Sequence, residues 1–453
     1  MARYEFQDGK SSKFWQIDLD GDTFTVRYGR IGSEGVSSSK VFADPQTAER
    51  EATRLTKAKL KKGYELVDSA PASAPARGPE AALEEAIFAD PEDLKAWAAY
   101  GAWLSEQGDA RGELVDLEIK KASGGPQEEL QNRIDALIAA HRAEWLDASL
   151  IKSLEKSGEQ WQGHVLELQW RFGFLHRAKA KAIYDWEGPN VEALLKSVLK
   201  SSASRFISEI AIGMTDPEGG ETTFQREILA LAKGGKRPSV RRLYVGDFEF
   251  PDETEISWTE VGNIDKVYPV FPNLQWLKVQ GGGIQLGKLA HSRLESLIVN
   301  TGGLPREAAV SIAKADLPNL TELEVWFGAD EYGGDSTVGD IAGLFTAAGV
   351  PKLKRLGLMN AEFTNDLPAA LVGTPLLAQI EALDLSMGTM TTVGAEALLE
   401  HAEAFMHITR LSVDDNMLSE GMLAKLRERF GRRLHSSEQR DDDEDWRYVS
   451  VGE

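Results

Sequence analysis

The sequence predicts a multidomain α/β chain: a small mixed α/β module, a flexible linker, a helical adaptor and an α/β solenoid. Three observations lead there. First, the pattern apolar-x-x-(Leu/Ile)-x-apolar recurs eight times, at Ile207, Val240, Leu274, Leu294, Leu320, Leu353, Ile380 and Ile408. Successive copies start 20 to 34 residues apart, with mostly helical stretches between them. Each copy reads as a short strand, and repetition at this period marks units that bury their apolar side only against neighbours. Second, two alternating runs meet at Asp20-Gly21, a strong hairpin signal. Third, a Ser/Ala/Pro-rich stretch, Ser69 to Pro79, separates the two regions.

At 453 residues the chain is long enough for two or three domains. Net charge is −21, but residues 1–66 hold 12 Lys/Arg against 10 Asp/Glu, leaving 39 against 62 for the rest. Nucleic acid is therefore expected, if anywhere, at residues 1–66. No run of 18 apolar residues occurs, so no membrane span is expected. The chain has no cysteine, which excludes disulfides and thiolate metal sites and suits a cytoplasmic setting.

Within residues 1–66, Lys13 to Leu19 and Thr23 to Arg30 alternate as strands. A helix is expected from about Gln46 to Lys62, with Gly63 placed to end it. Arg50, Arg54, Lys57 and Lys61 fall at steps of 4, 3 and 4, so they line one helix face. Such a line can track phosphates, or it can be an ordinary solvated face.

Tyr28-Gly29-Arg30-Ile31-Gly32-x-x-Gly35, with Phe14-Trp15-Gln16 before it and Phe42 and Gly63-Tyr64 after, resembles the WGR domain. In poly(ADP-ribose) polymerases this domain helps recognise DNA ends, its Trp packing on the terminal nucleotide with the Arg beside it. The resemblance implies that role for Tyr28 and Arg30, with a smaller stacking ring than the family's Trp. On that reading Tyr28, Arg30, Arg50, Arg54, Lys57 and Lys61 bind DNA or RNA.

The linker is placed at 67–80 and the adaptor at 81–160. Asp90-Pro91-Glu92-Asp93 reads as a helix start with Asp90 as cap. Asp109, Arg111 and Glu113 are expected to pair around a tight turn. Together with Tyr100-x-x-Trp103-Leu104 and Gly108-Asp109-x-Arg111-Gly112-Glu113, this stretch resembles a short bacterial domain that accompanies repeats.

The solenoid is placed at 161–431, with a weak first strand at Val165 to Trp170. Its units resemble ribonuclease-inhibitor-like leucine-rich repeats, as in Leu353-x-x-Leu356-x-Leu358 and Phe271-Pro272-Asn273-Leu274. The family's Asn after the strand stands only at Asn416; Gly282, Gly302, Gly328 and Gly388 replace it elsewhere, so loose, hydrated turns are expected. The resemblance implies a concave face lined by residues between the inward leucines. Those are Tyr244, Trp276, Lys278, Glu322, Glu324, Trp326, Arg355, Asp384, Arg410 and Asp414. Aromatics flanked by charge suit a protein partner, and the acidic tilt suits a basic one. Residues 432–453, with Asp441-Asp442-Asp443-Glu444-Asp445, read as a disordered acidic tail.

No catalytic constellation emerges. Gly282-x-x-x-x-Gly287-Lys288 continues with Leu289 where a phosphate loop needs Ser or Thr. His401 and His407, near Glu400 and Glu403, form the closest histidine pair, and a polar helix end explains them as well as a metal does. The expectation is therefore a non-enzymatic adaptor without cofactor or metal. Its alternative is a pure protein-interaction scaffold that touches no nucleic acid.

Overall fold

A computed structural model describes residues 2–7, 12–20, 23–31, 33, 35–42, 45–68, 79–156, 164–186, 188–217, 222–443 and 447–453. The chain divides into two compact units, 1–82 and 83–453. Most of the expected linker, residues 69–78, lies outside the described residues.

The first unit is a five-stranded antiparallel sheet: β1 (Ala2–Gln7), β2 (Ser12–Asp20), β3 (Thr23–Arg30), β4 (Val36–Val41) and β5 (Glu65–Asp68). The order is β4-β3-β2-β1-β5, with α1 (Pro45–Leu60) between β4 and β5 in the chain. Alternation in β1, β2 and β3 turns Tyr4, Trp15, Ile17 and Phe24 to one side, where Ala52 of α1 closes the core. The helix spans the length its pattern demanded, and Gly63 beyond it takes φ +81 as a terminator should.

The chain continues with α2 (Pro79–Ala89), which the division between the units cuts at Leu83, and then α3 (Leu94–Glu106), α4 (Arg111–Ala122), α5 (Gln127–Trp145) and α6 (Ala148–Lys156). Three expectations change here. A helix begins at Pro79, inside the expected linker. Asp93, not Asp90, caps α3: its carboxylate accepts the Lys95 N–H, while Asp90 accepts the Glu92 N–H in the preceding turn. Arg111 pairs with Asp109 as expected, but Glu113 pairs with Arg133 of α5 instead.

The hairpin β6 (Leu166–Arg171) and β7 (Phe174–Ala180) follows, then α7 (Val191–Lys200), β8 (Glu209–Ile212), β9 (Thr222–Thr223), α8 (Gln225–Lys233) and β10 (Arg242–Val245). Next come β11 (Thr259–Asn263), β12 (Trp276–Gln280), β13 (Gly282–Gln285), β14 (Ser296–Asn300), α9 (Arg306–Ala313) and β15 (Glu322–Gly328). The last strands are β16 (Arg355–Ala361), β17 (Ala382–Asp384), β18 (Arg410–Ser412) and β19 (Leu434–His435).

Among the described residues, eleven strands form one sheet, ordered β19-β18-β17-β16-β15-β14-β12-β10-β8-β7-β6, and all but the first hairpin pair in parallel. β9, β11 and β13 form a second, small parallel sheet. Every repeat thus supplies one strand of the large sheet. The leucine positions (Leu243, Leu277, Leu297, Leu323, Leu356, Leu383, Leu411) are all buried in one core. Just before β10, β12, β14, β15, β16 and β17, two consecutive N–H groups donate to one carbonyl of the preceding repeat: Gln275 and Trp276, for example, both donate to the Arg241 carbonyl, at 2.8 and 3.0 Å. Among the described residues, no helix is long and apolar enough to cross a membrane.

The turns are the opposite of loose. A Cβ on Gly328 (φ +72) would fall 1.8 Å from the Gly302 carbonyl oxygen, and one on Gly388 would fall 2.0 Å from Thr364 Oγ1. Glycine stands there because two backbones, or a backbone and a side chain, touch. Asn416 does what its repeat position asks: its amide donates to the Leu385 and Val413 carbonyls and accepts the Met390 N–H.

The expected disordered tail at 432–453 is also corrected. β19 pairs with β18, and Val449 and Val451 are buried. Those two valines alternate after the acidic run, and their burial offsets the ordering of the segment.

Candidate nucleic-acid and partner surfaces

Tyr28 and Arg30 close β3 on the side that Phe24 and Val26 turn to the core. Phe24 is buried and Val26 partly so, but the core ends before Tyr28, which is 48% exposed; Arg30 is exposed too. Across β2, Tyr28 faces Trp15 and Arg30 faces Lys13. Opposite residues share a face, so an exposed phenol stands beside a buried indole and a guanidinium beside an ammonium.

The glycines around them do packing work. A Cβ on Gly29 would fall 2.8 Å from Gly35 Cα and 3.2 Å from the ring of Phe14, and Gly35 sits at φ +72. The loop after β3 can therefore fold back over Phe14. Gly32 lies outside the described residues.

Arg50, Arg54 and Lys57 on α1, and Lys61 just beyond it, are all exposed. Arg54 is engaged by Glu51 through two hydrogen bonds of 2.8 and 2.7 Å, and Arg50 donates to Thr47 at 2.9 Å. A residue outside this line is more telling. The Lys59 ammonium lies 4.9 Å from the Tyr64 ring centre and 5.5 Å from that of Trp15. Burial pushes its pKa down, and Lys62 and Lys13 push the same way. Lys13, opposite Arg30, and Lys59, over the Trp15 that faces Tyr28, thus come together, a grouping invisible in the sequence because β2 and the end of α1 meet only in the fold.

In the second unit, parallel register lays out rows on the sheet face turned from the core. One row runs Arg177, Glu209, Arg242, Trp276, Ser296, Glu322, Arg355, Ala382, Arg410. The next contains Tyr244, Lys278, Ile298, Glu324, Gly357 and Asp384 in neighbouring strands. Arg242 stacks on Trp276 at 4.1 Å, Trp276 meets Tyr244 edge-on at 6.0 Å, and Lys278 lies 4.8 Å from the Tyr244 ring centre. These aromatics therefore contact their lateral neighbours and remain partly open.

Glu322 pairs with Arg355 at 3.1 Å and accepts Ser296 at 2.7 Å; burial alone would raise its pKa, but these bonds hold it below the usual range. Glu324 accepts the Trp326 indole N–H at 3.1 Å. Burial pushes its carboxyl up, against the pull of Lys278. Asp384 accepts the Ser386 N–H at 2.9 Å. Asp414 belongs elsewhere: Ser412 and the Ser437 N–H occupy its oxygens, so it tethers the chain near β19.

The Gly282 to Lys288 stretch is not a phosphate loop: it contains β13, and Gly287 packs on Asp265. His407 bonds the Leu377 carbonyl at 2.7 Å.

Comparison with known proteins matches the WGR domain family to residues 1–71. The Escherichia coli (strain K12) proteins Uncharacterized protein YfeS and Protein YehF are 44% identical over 63 residues and 34% identical over 64. Each match covers 14% of this chain, and the chain spans about a quarter of these relatives' length, 26% and 23%. A crystal structure of a Bacteroides fragilis protein aligns over 99% of both chains with TM-score 0.54 and 24% identity, a likeness of fold. Exposed Tyr28 and Arg30 on β3, the glycine-dependent loop over Phe14 and the family match agree: residues 1–71 of this chain are a WGR domain.

Proposed function

We propose that this chain is a non-enzymatic adaptor. In this reading the WGR domain binds a nucleic-acid end. Residues 161–431 are a leucine-rich-repeat solenoid whose concave face, the face turned from the core, holds a protein partner. The observation that carries the first half is the joint exposure of Tyr28 and Arg30 on one side of β3, with Lys13 opposite Arg30 and Lys59 over Trp15. A phenol can stack on any base or sugar, and cations around it suit the flanking phosphates. The second half is supported by one strand per repeat in unbroken chain order, with half-buried aromatics and charges on the open face. Two sites on one chain bind bivalently, with the segment between them setting effective concentration. A chain without cysteine suits a cytoplasmic setting.

The test is fluorescence anisotropy of a labelled blunt-ended duplex with the full chain across a salt series. Binding should weaken with salt, and Arg30→Ala and Tyr28→Ala should each cost about 1–3 kcal/mol. Absence of binding at low salt, or indifference to both substitutions, would sink the nucleic-acid half. The scaffold reading would then stand. It is favoured by the self-contained pairing of Arg54 with Glu51 and by the chain's net charge of −21.

A further inference from the structure

The large sheet ends on one side in an unpaired edge. β6 is its outermost strand and, among the described residues, pairs with β7 alone. The register shows which backbone groups this leaves over. The Val165 carbonyl accepts the Lys181 N–H at 2.9 Å, so every second residue from Val165, namely Glu167, Gln169 and Arg171, aims its backbone groups at β7. Leu168 and Trp170 therefore aim their N–H and C=O groups away from the sheet, where no backbone group among the described residues meets them. Both are half-buried and Gln169 between them is exposed, so this stretch of edge is open. Natural sheets guard such edges with lysine, proline or a very short strand. At the opposite end β19 is only two residues long, whereas Leu168-Gln169-Trp170 carries no guard of either kind.

A second observation lies against the same stretch. A hollow of about 480 Å³ is lined by Gln169 and Trp170 of β6 together with residues of α4 and α5. Ile134, Ile138 and Arg142 line it from α5, at steps of four on one helix face. Ile138 and Trp170 are only partly covered by the core they border. The charges around the hollow are spent, with one exception. Lys121 and Asp135 are both bonded to Gln131, and Glu118 accepts the Phe172 N–H at 2.7 Å while burial pushes its carboxyl up, towards the neutral form. Arg142 is exposed and makes no ion pair among the described residues.

We infer that an extended segment of a partner protein adds to β6 as a further strand, with an apolar side chain seated between Ile138 and Trp170 and an acidic one at Arg142. Outward N–H and C=O groups in strand geometry select another strand, because its main chain supplies acceptors and donors at the same spacing. Side chains two positions apart on that strand share a face, so the apolar and the acidic residue alternate with one turned the other way. The hollow takes a few residues of extended chain. A second copy would have to bring its own α4 and α5 to the same joint, which favours a slender segment over self-pairing. The site is the edge of the sheet rather than its open face, so the inference goes beyond the partner-surface reading and does not depend on it.

The test reads anisotropy of a fluorescein-labelled peptide, Thr-Val-Thr-Val-Thr-Asp-Thr, and of its reversed sequence, against the full chain. Counterparts N-methylated at every second residue, in each phase, keep all side chains but remove the donors from one side of the strand. The expected result is binding that one phase of methylation abolishes and the other spares. Leu168→Pro removes an outward N–H and keeps the bonds to β7, so it should weaken binding at least about tenfold, whereas Leu168→Ala should change it less than about threefold. Arg142→Gln should weaken binding of the Asp peptide and leave an Asn counterpart unchanged. Hydrogen exchange should slow at the Leu168 and Trp170 amides. If Leu168→Pro lowers the melting temperature, the two methylation phases on wild type and Arg142→Gln decide. No binding in either direction up to about 1 mM, equal binding of both methylation phases, or protection elsewhere overturns the inference. Self-association in sedimentation that Leu168→Pro abolishes would also overturn it, by making a second copy the occupant.

Discussion

The side-chain amide of Asn360 clasps the backbone of Val451: Nδ2 donates to its carbonyl at 2.6 Å and Oδ1 accepts its N–H at 2.9 Å. Asn360 is fully buried at φ +53 at the end of β16, and Val451 lies in the core that the sheet covers. The acidic segment is thus bracketed by ordered chain on both sides. Asn360→Ala should leave both Val451 groups unpaired and cost about 2–4 kcal/mol, read by chemical denaturation. Deleting residues 447–453 should cost at least as much. An unchanged midpoint in both would mean that the segment is not docked in solution.

The close backbone approaches make a paired prediction. Gly328→Ala places a Cβ against the Gly302 carbonyl and should cost more than about 3 kcal/mol, because neither backbone can give way. Gly333→Ala, at φ +92 with open space around it, should cost only about 1–2 kcal/mol of left-handed strain. Similar melting temperatures for the two variants would contradict the close approach.

Trp97 joins the helical segment to the sheet. It stacks on Phe172 at 4.5 Å, meets Phe206 edge-on at 5.0 Å, and donates its indole N–H to the Pro91 carbonyl at 2.8 Å. Ile87, Trp97 and Tyr100 share one core with Phe172, Phe174 and Phe206. Residues 83–453 should therefore unfold in one calorimetric transition, and Trp97→Ala should lower it by about 3–5 kcal/mol. Two transitions, with only the first shifted by the substitution, would argue against a shared core.

Glu324 predicts a pH dependence. Burial holds its folded pKa above the ordinary 4.5, so the folded chain favours the protonated form more than the unfolded chain does. The stability gained this way is complete below pH 4.5 and is lost as pH rises through the raised value. Glu324→Gln should match wild type at low pH and become the more stable protein towards neutrality. Melting curves across that range check the sign, and a gap that closes with rising pH would reverse the assignment.

Much of this chain was legible in its sequence. The eight apolar repeats marked the parallel strands because a two-residue alternation leaves few ways to bury its leucines. The Asp20-Gly21 signal and the steps of α1 foretold the small module, since turn chemistry and helical period are local properties. The exposed ends of α1's cation line were visible too, but not the Glu51 and Thr47 contacts that engage two of them.

What the tertiary structure alone decided involves partners far apart in the chain. Lys13 and Lys59 meet only because β2 and α1 close on one core. The glycine turns looked loose because a sequence does not show which backbone passes within contact distance. The tail looked disordered because its acids dominate locally, whereas two valines and one asparagine 91 residues away hold its end. Local pattern fixes which elements form, through turn chemistry and alternation; which side chains then face one another depends on register and packing between distant segments.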